Sequence, residues 1–131
     1  MPDYKITLSL TKLGKALESL EQITAKPSQP DRSNIDAAIQ RFEFTIELFW
    51  KLLKNILASL GTEVQYPKNV LQEAFKGHLI NNEQLWLQML EDRNITSHTY
   101  DEDLADQVFD RIKTYVPILR ETYNNIRGKY L

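Results

Sequence analysis

Apolar residues recur along most of this chain at alternating steps of three and four, the spacing that lines one face of an α-helix. Ile6, Leu10, Leu13, Leu17 and Leu20 form the first stripe, with Lys12, Lys15, Glu18 and Glu21 on the other face. The run Pro27-Ser28-Gln29-Pro30 breaks it. Ser33 is a suitable N-cap for a second helix, and Asp36 follows three residues later. Ile35, Ile39, Phe42, Ile46, Phe49, Trp50, Leu53 and Leu57 supply that helix's main stripe, and Phe44, Leu48 and Leu52 a second one beside it. A helix apolar on two faces is either central to a bundle or shared with a second subunit. Gly61 is placed to close it as the residue just past the helix.

Pro67 can open a short third helix, where its missing N–H costs nothing. Val70, Leu71, Ala74 and Phe75 are its expected buried side, and Gly77 its end. Asn82 is a candidate N-cap for a fourth helix carrying Leu85, Trp86, Met89 and Leu90. The last helix is expected to begin between Thr99 and Asp101. Its stripe is Leu104, Val108, Ile112, Tyr115, Leu119, Ile126 and Tyr130, with a bend at Pro117. No β-alternation, repeat or low-complexity stretch interrupts this pattern. The expectation is one all-α domain over residues 1–131, an antiparallel up-and-down bundle of about five helices.

A chain of 131 residues can bury a core without staples, and it has no cysteine with which to build any. His78 and His98 are the only histidines and do not sit in a tight carboxylate cluster, so neither a metal nor another cofactor is expected. No stretch reads as a membrane span or leader, and a cytoplasmic protein is expected. The net charge is −2 with both signs mixed, which argues against a protein that coats nucleic acid. Transient contact with RNA through a local site is compatible with that charge.

The chemistry concentrates at the junction Leu90-Glu91-Asp92-Arg93-Asn94-Ile95-Thr96-Ser97-His98-Thr99-Tyr100-Asp101-Glu102. Thr99 and Asp101 compete as caps of the last helix, which would set His98 and Tyr100 at a helix N-terminus, a place that attracts phosphate. Asn94 and His98, four apart, share a helical face. Arg93 and His98, five apart, diverge unless the helix unwinds near Ser97. Arginine brings permanent charge and a fork that fits a phosphodiester. Histidine carries protons near neutrality. Those two residue types suffice for metal-free RNA cleavage, although a surface arginine beside a capping-region histidine would leave the same trace.

Arg93 to His98 resembles the R-x-x-x-x-H motif of HEPN proteins, with the polar Asn94 after the arginine. It continues as H-x-Y through Thr99 to Tyr100, like members paired with a minimal nucleotidyltransferase. Gln40-Arg41-Phe42-Glu43-Phe44-Thr45-Ile46-Glu47-Leu48-Phe49-Trp50-Lys51 is similar to the same subgroup, although packing alone explains its apolar positions. The resemblance implies a helical homodimer whose two motifs face each other in one composite RNase site, acting as the toxin of a toxin–antitoxin pair. It implies Arg93, Asn94 and His98 as the catalytic group. It also implies silencing by a cognate minimal nucleotidyltransferase that transfers AMP onto Tyr100. An alternative is a non-catalytic subunit that presents nucleotide or substrate to the transferase, and a third is a helical interaction protein without chemistry. Other polar residues have plainer expected roles. His78 is expected to satisfy carbonyls at a helix end, and Trp50 and Trp86 to pack in core or interface. Glu43 and Glu47 form either a carboxylate pair or a helix face turned to solvent or Lys51. Tyr115, Tyr123 and Tyr130 are expected to lie outside the site.

Overall fold

The computed structural model describes residues 3–27, 32–98 and 101–131, and of His98 only the backbone. Among these residues the elements are helices: α1 (Tyr4–Thr24), α2 (Ser33–Ser59), α3 (Pro67–Lys76), α4 (Glu83–His98) and α5 (Glu102–Tyr130). The expected all-α bundle is therefore found. Cross-helix bonds give the directions. Arg41 donates to the Ser19 carbonyl at 3.0 Å and Asn55 to the Ser9 hydroxyl at 3.2 Å, so α1 and α2 run antiparallel. Asp92 of α4 meets Arg111 and Tyr115 of α5, which ties those two helices together. The short α3 bridges the far ends of α2 and α4.

α2 packs against all four other helices, which is why it is apolar on more than one face. Phe42, Phe49, Leu52, Leu53 and Ile56 are fully buried on it. Phe42 stacks on Tyr115 with ring centroids 5.7 Å apart, and Phe49 meets Trp86 edge-on at 4.8 Å. Of its second stripe, Leu52 is buried, Leu48 is half-buried, and Phe44 stands 59% exposed. On α1, Gly14 admits Tyr123, whose Oη donates to the Leu10 carbonyl at 3.0 Å; a Cβ on Gly14 would meet that oxygen at 2.5 Å.

The helix ends follow local rules with two exceptions. Gly61 is left-handed at φ 92°, and the N–H groups of Gly61 and Thr62 close back on Ala58 and Leu57. Asn82 caps α4 through the N–H of Leu85 at 3.2 Å. At α3 the helix ends at Gly77, but the left-handed residue is His78, φ 61°, which closes the same pattern through its backbone N–H to Phe75. At α2 the cap position falls to Arg32 at φ 62°, and Ser33 is the first helical residue. A tertiary tie accompanies this shift: Arg32 reaches Asp106 of α5 at 2.8 Å. Phe75 was expected inside but is 40% exposed. The stripe of ten-residue α3 centres on Val70, Leu71 and Ala74, and Phe75 lies to one side of it. α5 runs unbroken through Pro117.

Candidate functional site

The helical segment that ends at His98 is held on two sides by different chemistry. On the inner side, Asp92 is 3% exposed. Its carboxylate accepts two bonds from Arg111, at 2.9 and 2.7 Å, and a third from the Tyr115 hydroxyl at 2.6 Å. Burial and the bond to Asp92 push the Tyr115 phenol above its ordinary value of 10.0. The Asp92 hydrogen bond holds Arg111 more firmly protonated, against some opposing burial. A full turn of α5, from Arg111 to Tyr115, is thus bolted to the residue next to Arg93.

On the outer side, Arg93 faces α2. Its Nη2 donates to Glu47 Oε2 at 3.0 Å and its Nη1 to Asn94 Oδ1 at 3.1 Å. Its Nε is buried and has no hydrogen-bond partner among the described residues. Glu47 is itself fixed by Trp50 Nε1 at 2.9 Å and by Lys51 at 3.2 Å. Burial tends to raise the Glu47 carboxyl. The hydrogen bonds from Trp50 and Lys51 and the charges of Arg93 and Lys51 outweigh it, and the group lies below the ordinary 4.5. One turn along, Glu43 accepts from the Thr96 hydroxyl at 3.2 Å. Glu43 meets Thr96 while Glu47 meets Arg93, so α2 and α4 are antiparallel here and share a two-rung polar seam. A cavity of about 320 Å³ opens on this seam, lined by Gln40, Glu43, Phe44, Glu47, Arg93 and Ser97.

Sequence reading put Asn94 on the face of His98 and Arg93 on the adjacent face with Ser97; Arg93 and Ser97 line one cavity, and Arg93 also donates to its neighbour Asn94. The same reading left Glu43 and Glu47 as either a carboxylate pair or a helix face turned to solvent or Lys51; Glu47 does meet Lys51, but the partners Thr96 and Arg93 were missed. The signal was present only as a turn-spaced acidic pair inside the Gln40–Lys51 segment. α4 stays helical through His98, so the unwinding near Ser97 that could have joined Arg93 and His98 does not occur. His98 closes α4 and does not open α5. Asp101 caps α5, its Oδ1 accepting from the N–H groups of Asp103 and Leu104, while Glu102 and Asp103 add negative charge there. That end is therefore a poor phosphate site, contrary to expectation. Thr99 and Tyr100 lie outside the described residues. Trp86 is buried as expected, and Tyr115 and Tyr123 are core residues.

Residues 8–127 match the family described as nucleotidyltransferase substrate binding protein like. The chain belongs to that family. A Haemophilus influenzae protein named probable ribonuclease HepT is 34% identical over 83% of this chain and 85% of its own length. The fold of this family recurs in a Thermus thermophilus crystal structure at TM-score 0.80 and 36% identity, covering 88% of this chain and 98% of that one. It recurs in a Haemophilus influenzae structure described as a substrate binding domain of a nucleotidyltransferase, at TM-score 0.79 and 32% identity, over 90% and 98% of the two chains. The tri-AMPylated HEPN toxin of Shewanella oneidensis, solved with MNT antitoxin, shares the fold at TM-score 0.77 and 16% identity, over 96% and 98%. No described helix is long and apolar enough to cross a membrane.

Proposed function

We propose that this chain is a HEPN-type ribonuclease toxin that cuts RNA without a metal ion, acts as a homodimer in the cytoplasm, and is silenced by AMP transfer from a minimal nucleotidyltransferase onto Tyr100. The observation that carries the reading is Arg93. It is the motif arginine, it lines an open cavity, and one of its N–H groups is unmet by the described residues. The name of the 34%-identical relative supports the activity.

In the reaction, a base takes the proton of the 2′-hydroxyl and the 2′-oxygen attacks the adjacent phosphorus. The bond to the 5′-oxygen breaks, and an acid protonates that oxygen. The products are a 2′,3′-cyclic phosphate and a 5′-hydroxyl. Arg93 stabilises the charge that builds on the phosphorane, and Asn94 orients Arg93. His98 moves the protons. On one unbroken helix, Arg93 and His98 diverge by about 140° around the axis. Such divergence favours a site completed across a two-fold axis, one His98 serving as base and its symmetry mate as acid. The exposed Phe44 beside the same cavity suits a face that a second subunit covers. AMP on Tyr100 would set a negative phosphodiester and a bulky base beside the arginine that must meet RNA.

The test is purified protein with RNA in excess chelator. Cleavage to 2′,3′-cyclic ends is expected, lost in both His98→Ala and Arg93→Ala, and lost in mixed dimers of wild-type and His98→Ala chains, since base and acid come from different subunits. Metal-dependent cutting, or full activity from a monomer, would contradict the reading. Co-expression with the transferase should add AMP to the peptide holding Tyr100, and Tyr100→Phe should escape silencing. A second reading, a non-cutting subunit that presents substrate to a transferase, is favoured by the description of the 32%-identical structure. Binding of RNA or nucleotide by the wild type without any cutting would decide for it.

A further inference from the structure

A carboxylate bound to the arginine that is to receive a phosphate is an odd neighbour. Glu47 cancels charge where RNA must arrive, so by electrostatics alone it should hinder binding. Both side chains are about one-third exposed, 28% for Glu47 and 31% for Arg93, so solvent screens much of that penalty. What Glu47 supplies in return is direction. A free arginine side chain samples many rotamers, whereas this one is tied at Nη2 to α2 and at Nη1 to Asn94. The tie is stiff because Glu47 is itself gripped by the indole N–H of half-buried Trp50 and by Lys51. The neighbouring rung, Thr96 to Glu43, keeps the two helices in register.

We propose that Glu47, held by Trp50, is a positioning residue that aims the Arg93 guanidinium at the scissile phosphate. This rests on the ribonuclease reading of the same site. Glu47 accepts hydrogen bonds and touches neither substrate nor reacting atoms. Trp50 acts one step further back, through the carboxylate. Misplacing a catalytic group by an ångström costs about 100-fold in rate, whereas an exposed charge changes affinity by only a few-fold.

The experiment is steady-state cleavage of a short RNA by wild type, Glu47→Ala, Glu47→Gln, Trp50→Phe and the Glu47→Ala/Trp50→Phe double variant. Side-chain 15N relaxation at Arg93 Nε is measured for each protein alone. Glu47→Ala should lower kcat about 100-fold with KM unchanged or reduced within about fivefold. Glu47→Gln keeps an acceptor oxygen and should restore most of kcat. Trp50→Phe should lower kcat less, and add nothing in the Glu47→Ala background, because both act through one tie. Arg93 Nε should be ordered in wild type and mobile in Glu47→Ala. A kcat that holds or rises in Glu47→Ala while KM falls would overturn the proposal, since Glu47 would then only mask the arginine. Additive losses in the double variant, with lowered thermal stability, would overturn it in favour of plain packing. Should the wild type cut no RNA, the ribonuclease reading falls by itself. The relaxation data then decide the tie alone: loosening on Glu47→Ala upholds it, and equal mobility refutes it.

Discussion

Asp92 and Arg93 are consecutive residues of α4, each ion-paired to a different helix, Asp92 to Arg111 of α5 and Arg93 to Glu47 of α2. The pairs use the same two functional groups. The Asp92 side chain is 5% exposed and takes a bidentate fork plus a phenol, which leaves little room for a ligand. The Glu47–Arg93 pair is single-pronged and borders open space. A carboxylate and a guanidinium make a structural bolt where the carboxylate is buried and bound from several sides. They make a contact that a ligand can reach where the pair is partly exposed and borders a cavity.

The contrast breaks most visibly on the inner side. Asp92→Ala leaves Arg111 and the Tyr115 hydroxyl without their acceptor, and a loss of about 3 kcal/mol is expected in urea unfolding. A loss below 1 kcal/mol would mean that the bolt matters little. Tyr115→Phe removes one bond to a charged group and should cost about 2 kcal/mol. It should also flatten the alkaline limb of the stability profile. The folded phenol titrates above its ordinary 10.0, so its contribution is whole below that pH and fades as pH rises past it. A wild-type profile unchanged above pH 10 would remove this link.

Effects on the outer side are smaller for stability and larger for chemistry. The folded Glu47 carboxyl lies below the ordinary 4.5, so its contribution is whole above that value and is lost as pH falls beneath it. Glu47→Gln should therefore lower neutral stability slightly, by less than about 1 kcal/mol for so exposed a pair, and make acid unfolding less steep. Smallest of all, Arg93→Ala should change stability by only about 0.5 kcal/mol. The same substitution should abolish RNA cleavage. A collapse of the fold in Arg93→Ala would make the two sides alike and end the distinction.

Helix number, stripes and most helix ends were legible in the residues because they obey short-range rules. A 3.6-residue period, a glycine at positive φ, and an asparagine within reach of an N–H three residues on all act inside one or two turns. The bond from Arg93 to its neighbour Asn94 is local in the same sense. The partner of Arg93 was not. Glu47 lies 46 residues away, and its meeting with Arg93 depends on the rotation and register of α2 against α4. The packing of the whole core sets both. The left-handed Arg32 goes with a tie to Asp106 on a distant helix, and Phe75 is left outside by the orientation of α3. Local periodicity says which residues can point the same way. Only the tertiary structure, by burying one face and leaving another wet, decided that Asp92 is a bolt and Arg93 a hand left open.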